Sequence, residues 1–222
     1  PMIADPELPR KSLEGKEDEI IPCIACNICF SRLYYHQPIM CSVRPTVGHE
    51  GDPEWGYYGF QKTARPKKIV VVGGGPAGLQ FAAVAAKRGH QVTLYERNSI
   101  LGGNVNLASQ VDEGALELLR PVRTLQKECE NAEVKIHINS AITEEMLADL
   151  NFDILVIAAG AETKIPSFPF SNNIFTFNDI IANGLKPPKK TVIIGGTGVG
   201  LGVAVFLLRN DDFELTIIEE SS

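Results

Sequence analysis

The fold of this chain is predicted from one stretch of its sequence, Lys68-Ile69-Val70-Val71-Val72-Gly73-Gly74-Gly75-Pro76-Ala77-Gly78. Its run of β-branched residues stops at glycines, which predicts a short, buried, parallel strand. The glycines fit the pattern G-x-G-x-x-G, and an Ala-rich segment with helical spacing follows them. Pro76 stands near the start of that segment, where its missing N–H costs little. The stretch therefore predicts a strand, a tight turn and a helix.

Each glycine of this first loop has its own role in the prediction. Gly73 permits the tight turn, Gly75 lets the backbone approach a pyrophosphate, and Gly78 lets the helix pack on the strand. The phosphates then bind free N–H groups at the helix N-terminus, which begins with Pro76 and Ala77. A loop of this kind predicts a dinucleotide site.

An acidic residue completes the predicted site. Glu96 ends the next strand, predicted at residues 91–95, where a carboxylate accepts hydrogen bonds from both ribose hydroxyls. Arg97 follows it and is included in the predicted cofactor site. Because the carboxylate repels a 2′-phosphate, the predicted ligand is an unphosphorylated adenosine ribose, in FAD, NAD or ADP. A glycine turn without a function is the alternative.

Strands and helices alternate from residue 67 onward. Further strands are predicted at residues 134–138, 153–157, 191–194 and 215–218. Further helices are predicted at residues 115–130, where Pro121 would break or kink the helix, at residues 143–150, and up to about residue 210. Residues 162–190 are expected to be loop-rich. The alternation predicts an α/β fold with a parallel sheet.

A second glycine loop follows the strand at residues 191–194. Gly195 and Gly200 match the first and last glycines of the motif, but Thr197 takes the middle place, where a Cβ crowds the approach of a pyrophosphate. A register shifted to Gly196 and Gly198 would instead put Leu201 at the third place. Glu219 ends the next strand, as the acid does in the first unit. The predicted ligand is NAD(P)H. A glycine-rich packing helix in a degenerate domain is the alternative.

Four cysteines follow the spacing Cys23-x2-Cys26-x2-Cys29-x11-Cys41, and residues 23–41 are called the Cys loop below. Thiolates in consecutive two-residue steps can wrap one corner of a cubane, and the fourth returns after a short excursion, which favours [4Fe–4S]. A structural zinc usually shows two separated C-x2-C knuckles. Zinc and unligated thiols remain the alternatives. The fifth cysteine, Cys129, is interpreted as a core or surface thiol.

The composition excludes several classes of protein. Of the 222 residues, 44% are apolar and 22% are charged, which rules out wholesale disorder. The net charge is −6 and no Lys/Arg-rich run is present, so nucleic acid is not an expected partner. No segment predicts a membrane span. Three cysteines within seven residues favour a reducing compartment, the cytoplasm.

Together these residues resemble the C-terminal part of the multidomain old-yellow-enzyme-like NADH:flavin oxidoreductases, the family of 2,4-dienoyl-CoA reductase, 2-enoate reductase and trimethylamine dehydrogenase. The resemblance covers almost the whole chain. It is carried by Ile3-Ala4-Asp5-Pro6-Glu7-Leu8-Pro9, Pro22-Cys23-Ile24-Ala25-Cys26-Asn27, the Cys loop and the first glycine loop. The Cys loop joined to a flavoprotein glycine loop is the specific part.

Two further segments resemble those of two-dinucleotide flavoproteins and favour FAD in the first site. Leu101-Gly102-Gly103-Asn104 resembles their L-G-G-x segment, which adds Gly103 and Asn104 to the predicted site. Residues 153–161 resemble the strand at which the chain crosses from the FAD half to the NAD half, which adds Ala159 and Gly160. Without the resemblance, residues 153–161 are a buried strand and a turn.

The resemblance implies an α/β, Rossmann-like two-dinucleotide-binding flavoprotein fold, here incomplete, preceded by a Cys-rich iron–sulfur segment. The implied domains are residues 1–65, a barrel exit and cluster-binding segment; residues 66–188, an FAD-binding domain; and residues 189–222, the start of an NAD(P)-binding domain. In the family an FMN-binding barrel precedes the cluster. We therefore expect a fragment or a split subunit, with the barrel as its partner, fused or separate.

The function implied by the resemblance is electron transfer between NAD(P)H, FAD and the cluster, toward an FMN barrel that reduces an enoyl or enoate substrate. No catalytic residue is predicted in this chain, because the chemistry belongs to the cofactors. The alternative is an amine dehydrogenase with ADP in the first site, whose electrons leave to an electron-transferring flavoprotein. A non-enzymatic zinc-and-nucleotide module is a third hypothesis. Whether the chain forms a homo-oligomer is left open.

Overall fold

A computed structural model describes residues 1–55, 59–163, 165 and 173–220 of the chain. Part of the loop expected at residues 162–190 and the last two residues of the third predicted domain therefore lie outside the described residues. The chain divides into two compact units. The first unit is Pro1–Gly103 with Arg120–Ala159, and the second is Asn104–Leu119 with Gly160–Ser222. The predicted domain boundaries stay a prediction.

The described residues form six strands and eight α-helices. The strands are β1 (Lys68–Val72), β2 (Gln91–Tyr95), β3 (Lys135–His137), β4 (Ile154–Ile157), β5 (Lys190–Ile194) and β6 (Glu214–Ile218). The helices are α1 (Leu8–Leu13), α2 (Ile28–Tyr34), α3 (Pro76–Lys87), α4 (Asn104–Ala108), α5 (Leu119–Asn131), α6 (Glu144–Asp149), α7 (Phe177–Ile181) and α8 (Gly198–Asn210). None of these helices is long and apolar enough to cross a membrane.

A parallel sheet organises the first unit. Its strands lie in the order β3-β2-β1-β4, and all three neighbouring pairs are parallel. Val72 at the end of β1 pairs with Tyr95 of β2 and with Ile157 of β4. The carboxyl ends of three strands therefore meet at one edge of the sheet, the edge at which ligands bind in open α/β sheets. The predicted α/β class is confirmed.

The core of the first unit lies between the sheet and α3. Val71 and Leu94 of the central strands and Leu79 of α3 are fully buried. Such continuous apolar burial is typical of parallel strands that are covered by helices. Burial of one such side chain stabilises the fold by about 1.5–3 kcal/mol.

The fifth cysteine belongs to this core. The Cys129 thiol is buried and donates a hydrogen bond to the Leu79 carbonyl oxygen at 3.3 Å. Burial raises the pKa of the Cys129 thiol to about 11. A thiol that is protonated at neutral pH is a poor nucleophile and a poor metal ligand. Of the two interpretations offered by the sequence, the structure shows the core thiol.

The helix expected at residues 115–130 is divided in the structure. A 3-10 helix runs over Glu113–Leu118, and α5 begins at Leu119. Pro121 therefore stands in the first turn of α5, where a missing N–H leaves no helical hydrogen bond unmade. The proline marks the start of a helix and does not break one.

The second unit is built around a parallel pair, β5 and β6. Its core is formed by Ile180 and Ile181 of α7 with Val203 and Leu207 of α8. The sequence predicts a loop where the structure has α7. This short helix begins with a reciprocal capping box, in which the Thr176 side chain accepts from the Asp179 N–H and the Asp179 carboxylate accepts from the Thr176 N–H.

The buried sheet gives a direct stability prediction. Leu94 is 0% exposed, so Leu94→Ala should lower the free energy of unfolding by about 2–5 kcal/mol because it leaves a cavity. The matched control is Leu13→Ala, the same change at a residue that is 90% exposed, which should stay within about 0.5 kcal/mol of the parent. Urea denaturation measures both, and equal effects would contradict the assigned core.

Candidate functional site

The first glycine loop turns at the carboxyl end of β1. Gly73 has φ +109°, and a Cβ built there would lie 2.3 Å from the Ala158 carbonyl oxygen, which follows β4. A Cβ at Gly78 would lie 2.0 Å from the Gly73 carbonyl oxygen. Both positions therefore admit only glycine, because the start of α3 is pressed against the turn and the turn against the neighbouring strand.

Gly75 has a different reason to be glycine. It precedes α3 with an ordinary extended backbone, φ −75°, and a Cβ there would meet nothing within 4 Å. The described protein atoms therefore leave open space in front of the helix N-terminus. That space, faced by unsatisfied helical N–H groups, fits a phosphate group.

The segment after β2 lies over this loop. The Gly102 N–H donates to the Gly74 carbonyl oxygen at 2.8 Å. Gly103 has φ +54°, and a Cβ there would lie 3.3 Å from the Gly75 Cα. The structure thus brings the predicted Gly103 to the predicted Gly75, so the walls of the site come from two separate turns.

Glu96 is locked to the same loop. One carboxylate oxygen of the buried Glu96, Oε2, accepts from the Gly74 N–H at 2.7 Å, and Oε1 accepts from the Asn98 N–H at 2.8 Å. A carboxylate has about four acceptor positions, so two backbone donors leave capacity for two hydroxyls. The fixed carboxylate can therefore accept from both ribose hydroxyls of an adenosine.

The other residues predicted for the first site are placed as follows. A Cβ at Gly73 would lie 3.0 Å from the Ala159 Cα, so Ala159 borders the turn. The remaining residues predicted for this site are all exposed to solvent. They are Pro76 and Ala77 at the start of α3, Arg97 after Glu96, Asn104 at the start of α4, and Gly160, which has φ +77°.

The second glycine loop repeats the first in its own unit. Gly195 has φ +105°, and a Cβ at Gly200 would lie 1.8 Å from the Gly195 carbonyl oxygen. The Glu219 carboxylate accepts a hydrogen bond from the Gly196 N–H. The left-handed backbone of Gly195 and the two contacts match the backbone of Gly73 and the contacts of Gly78 and Glu96, which supports the register that starts at Gly195.

Thr197 takes the place of the middle glycine without backbone strain. Its dihedral angles, φ −82° and ψ −173°, are close to those of Gly75, φ −75° and ψ 176°. The fold therefore needs no glycine at this place, and the only difference between the two loops here is a side chain. Glu219, unlike the buried Glu96, is exposed.

The four cysteines of the Cys loop are all free, and none of them is buried. Cys23 and Cys26 are exposed, whereas Cys29, on α2, and Cys41 are half-buried. Between the described side chains, no three His, Cys, Asp or Glu residues lie close enough to hold a metal ion. The structure therefore places the four thiols on one short loop but does not gather them.

One contact brings the far end of the Cys loop back to its first cysteines. The Cys26 Sγ lies 3.2 Å from the hydroxyl oxygen of Ser42, the neighbour of Cys41. The hydrogen bond with Ser42, followed by one from the Ile28 N–H, lowers the pKa of the Cys26 thiol. A hydrogen-bonded thiolate is the form that binds a metal, so the donor set fits a soft metal or a cluster.

The backbone around Cys26 was not expected from the sequence. Ala25 has φ +54° and Asn27 has φ +56°, so both neighbours of Cys26 are left-handed. Asn tolerates this conformation, but an alanine rarely adopts it. Asn27 was a usable sequence signal, whereas Ala25 and the Ser42 contact left none.

Comparison with known proteins identifies the family to which this chain belongs. A family profile described as pyridine nucleotide-disulphide oxidoreductase matches residues 67–222. The chain belongs to that family. Membership in the pyridine nucleotide-disulphide oxidoreductases supports an oxidoreductase that binds FAD and NAD(P)H, in agreement with the two glycine loops.

The individual relatives include both reductases and amine dehydrogenases. The chain is 37% identical to an NADH oxidase of Thermoanaerobacter brockii, over 98% of the chain and 34% of that protein. It is similar to a solved structure of 2-naphthoyl-CoA reductase in complex with 2-naphthoyl-CoA, with a TM-score of 0.87 and 32% identity over 98% of the chain and 33% of the other. It is also similar to a solved structure of histamine dehydrogenase from Rhizobium sp. 4-9, with a TM-score of 0.86 and 26% identity, over 99% of the chain and 34% of the other.

These relatives confirm the resemblance drawn from the sequence. They also show that the chain spans about a third of the length of the relatives that it matches. The shared third contains both the Cys loop and the glycine loops, since almost all of the chain is covered.

Two glycine substitutions in the first loop should separate folding from binding. Gly78→Ala should lower the free energy of unfolding by at least about 2 kcal/mol, because its Cβ meets backbone. Gly75→Ala should change it by no more than about 0.5 kcal/mol, because its Cβ meets open space. We expect Gly75→Ala to weaken ADP binding at least about tenfold instead. Urea denaturation and ADP titration measure the two effects, and normal ADP binding by Gly75→Ala would contradict the assigned phosphate site.

Proposed function

We propose that this chain is the electron-transfer part of a flavin-dependent oxidoreductase, which passes electrons between NAD(P)H, FAD and a [4Fe–4S] cluster toward an FMN barrel that reduces an enoyl- or enoate-type substrate. The observation that carries the proposal is the complete first dinucleotide unit, with Glu96 locked to the glycine loop, in the same chain as a loop of four free cysteines. Each part alone is found in unrelated proteins.

The first loop is the proposed FAD site. Gly75 leaves room for the pyrophosphate, the N-terminus of α3 supplies N–H donors, and Glu96 accepts from the ribose hydroxyls. The approach of Gly103 to Gly75 supports FAD over a plain ADP, because Gly103 belongs to the segment that resembles flavoproteins. Flavin bound here would accept a hydride from NAD(P)H and release electrons singly.

The Cys loop is the proposed cluster site, with Cys23, Cys26, Cys29 and Cys41 as ligands. Four thiolates are the usual ligand set of such a cluster. The contact between Cys26 and Ser42 supports the inclusion of Cys41, because it brings the far end of the loop back to the first cysteines. A cluster supplies one-electron transfer, while these residues of the chain hold it and set its hydrogen bonding.

The alternative is an amine dehydrogenase with ADP in the first site, whose electrons leave to an electron-transferring flavoprotein. The similarity to histamine dehydrogenase over 99% of the chain favours this candidate. Glu96 does not distinguish the two, since FAD and ADP share the adenosine ribose.

The proposed partner is an FMN-binding barrel, fused to this chain or separate from it. The similarity to relatives three times as long supports a further part of that kind. A cytoplasmic location is also proposed, because three cysteines within seven residues favour a reducing compartment.

The cluster proposal predicts the iron content of the full-length enzyme. Anaerobic purification should give about four Fe and four acid-labile sulfides per cluster site, and Cys41→Ala should lose them. Cys129→Ala is the matched control, because Cys129 is a buried thiol of the core and should leave the iron unchanged. Reduction of the bound flavin by NADH should persist in Cys41→Ala, while the electron paramagnetic resonance of the reduced cluster should vanish. Stoichiometric zinc without sulfide would contradict the proposal.

The second loop predicts a preference for NADH over NADPH. Glu219 is hydrogen-bonded to the glycine loop, where it would face the adenosine ribose and repel a 2′-phosphate. Even about 1.4 kcal/mol of repulsion after screening is tenfold in affinity, so kcat/KM should favour NADH by about tenfold or more. Thr197 should weaken both cofactors alike.

Steady-state rates with an artificial electron acceptor measure this preference. Glu219→Gln should reduce it severalfold, whereas Glu214→Gln, a control at the opposite end of β6, should leave it unchanged. Equal rates with both cofactors in the parent enzyme would refute the role of Glu219. No turnover with either cofactor would indicate a degenerate second domain.

A further inference from the structure

We propose that Ala4 and Asp5 tie together the chain that enters the Cys loop and the chain that leaves it, and thereby set the spacing of the cluster ligands. Asp5 is then a positioning residue for the cluster. The proposal rests on the proposed cluster function of the Cys loop. Ala4, Asp5 and their partners Lys11, Ile21 and Arg44 are called the anchor.

Asp5 is the centre of the anchor. Asp5 is 1% exposed, and its carboxylate accepts three hydrogen bonds. The Glu7 N–H donates to Oδ1 at 3.0 Å, and the Ile21 N–H and the Lys11 Nζ donate to Oδ2 at 2.9 Å and 2.7 Å. Ile21 stands two residues before Cys23. The carboxylate therefore fixes the backbone just where the chain enters the Cys loop.

Lys11 also binds the chain that enters the Cys loop. Its ammonium group also donates to the Glu19 carbonyl oxygen at 2.9 Å. The ion pair is well shielded, since the side chains of Lys11 and Asp5 are 11% and 2% exposed. Burial on its own raises the pKa of the Asp5 carboxyl, but the hydrogen bonds and the charge of Lys11 together lower it. Asp5 is thus charged at neutral pH, and removal of a partner would leave a buried charge less well compensated.

The other end of the Cys loop is held by the residue next to Asp5. The Ala4 carbonyl oxygen accepts from the Arg44 guanidinium at 3.3 Å, and Arg44 stands three residues after Cys41. Arg44 Nε also donates to the Thr46 hydroxyl at 3.0 Å, which orients the guanidinium. Two successive residues, Ala4 and Asp5, therefore bind the two ends of one loop.

Packing supports the same connection. A small groove of about 180 Å³ is lined by Met2, Ile3 and Pro6 of the N-terminal segment together with Ile39, Arg44, Val47 and Glu50. Ala4 and Val47 are buried. The N-terminal segment therefore lies against the chain on both sides of Cys41.

The loop between these ends has little to hold its own shape. Its helix α2 contains no buried residue, so no core fixes the distances between its thiols. A cluster binds four thiolates only when they converge at a set spacing. Because α2 cannot supply that spacing, the anchor limits how far Cys23 and Cys41 can separate, together with the contact between Cys26 and Ser42.

The test uses the full-length holoenzyme and the rate at which an iron chelator bleaches the cluster. Asp5→Asn keeps the shape of the side chain but turns an amide toward the Lys11 ammonium group. We expect it to release the cluster at least tenfold faster and to shift the electron paramagnetic resonance of the reduced cluster, with the FAD content unchanged. Asp18→Asn is the control, because Asp18 is an 87% exposed partner of Lys127 at 3.2 Å and should behave as the parent.

A second pair of variants tests the other end and serves if Asp5→Asn does not fold. Arg44→Gln should also speed release at least tenfold, and Arg44→Lys, which keeps a charged donor for the Ala4 carbonyl, should restore most of the stability of the cluster. A parent enzyme that holds iron and sulfide, with Asp5→Asn and Arg44→Gln no faster than Asp18→Asn, would overturn the anchor. A parent enzyme without iron or sulfide would contradict the proposed function, and the anchor with it.

Discussion

The missing side chain of Gly78 is the constraint on which the dinucleotide-binding unit depends. The start of α3 lies so close to the turn that a Cβ would stand 2.0 Å from the Gly73 carbonyl oxygen. Gly200 and Gly195 repeat the contact in the second unit, at 1.8 Å. Because this approach holds the helix N-terminus at the end of the strand, the loop N–H groups meet an acid from the next strand in both units. The proposed phosphate site and the proposed ribose acceptor both depend on this one close contact.

The central part of this fold could be predicted because local sequence and tertiary structure agree there. The run that forms β1 is apolar and β-branched, and glycines end it, so both of its bounds were predicted from the sequence. The turn into α7 was missed for the opposite reason. That helix is five residues long, too short to show a period, and its signal is the cap formed by Thr176 and Asp179. The sequence does not locate the start of α5, because a proline inside an apparent helix has the same pattern as Pro121 in a first turn.

The candidate sites divide in the same way. The glycines, Glu96 and the cysteines could be named from spacing, because each motif is local in sequence. The contacts that hold these residues in place could not be predicted, because they depend on the path of the chain. Asp5 reaches Ile21, and Ser42 meets Cys26, only after the N-terminal segment has folded back on itself. Asp5 entered the sequence analysis merely as one letter of a resembling segment, although the structure makes it one of the most buried charges of the described chain.

The central claim is that the first glycine loop binds FAD and that this flavin connects nicotinamide to the Cys loop. The most direct measurement is to denature the purified full-length enzyme and to identify the nucleotides that it releases by chromatography. FAD should be released in stoichiometric amount, with FMN beside it from the proposed barrel, and Gly75→Ala should lose the FAD alone. Release of ADP without FAD would contradict the account and would favour the amine dehydrogenase.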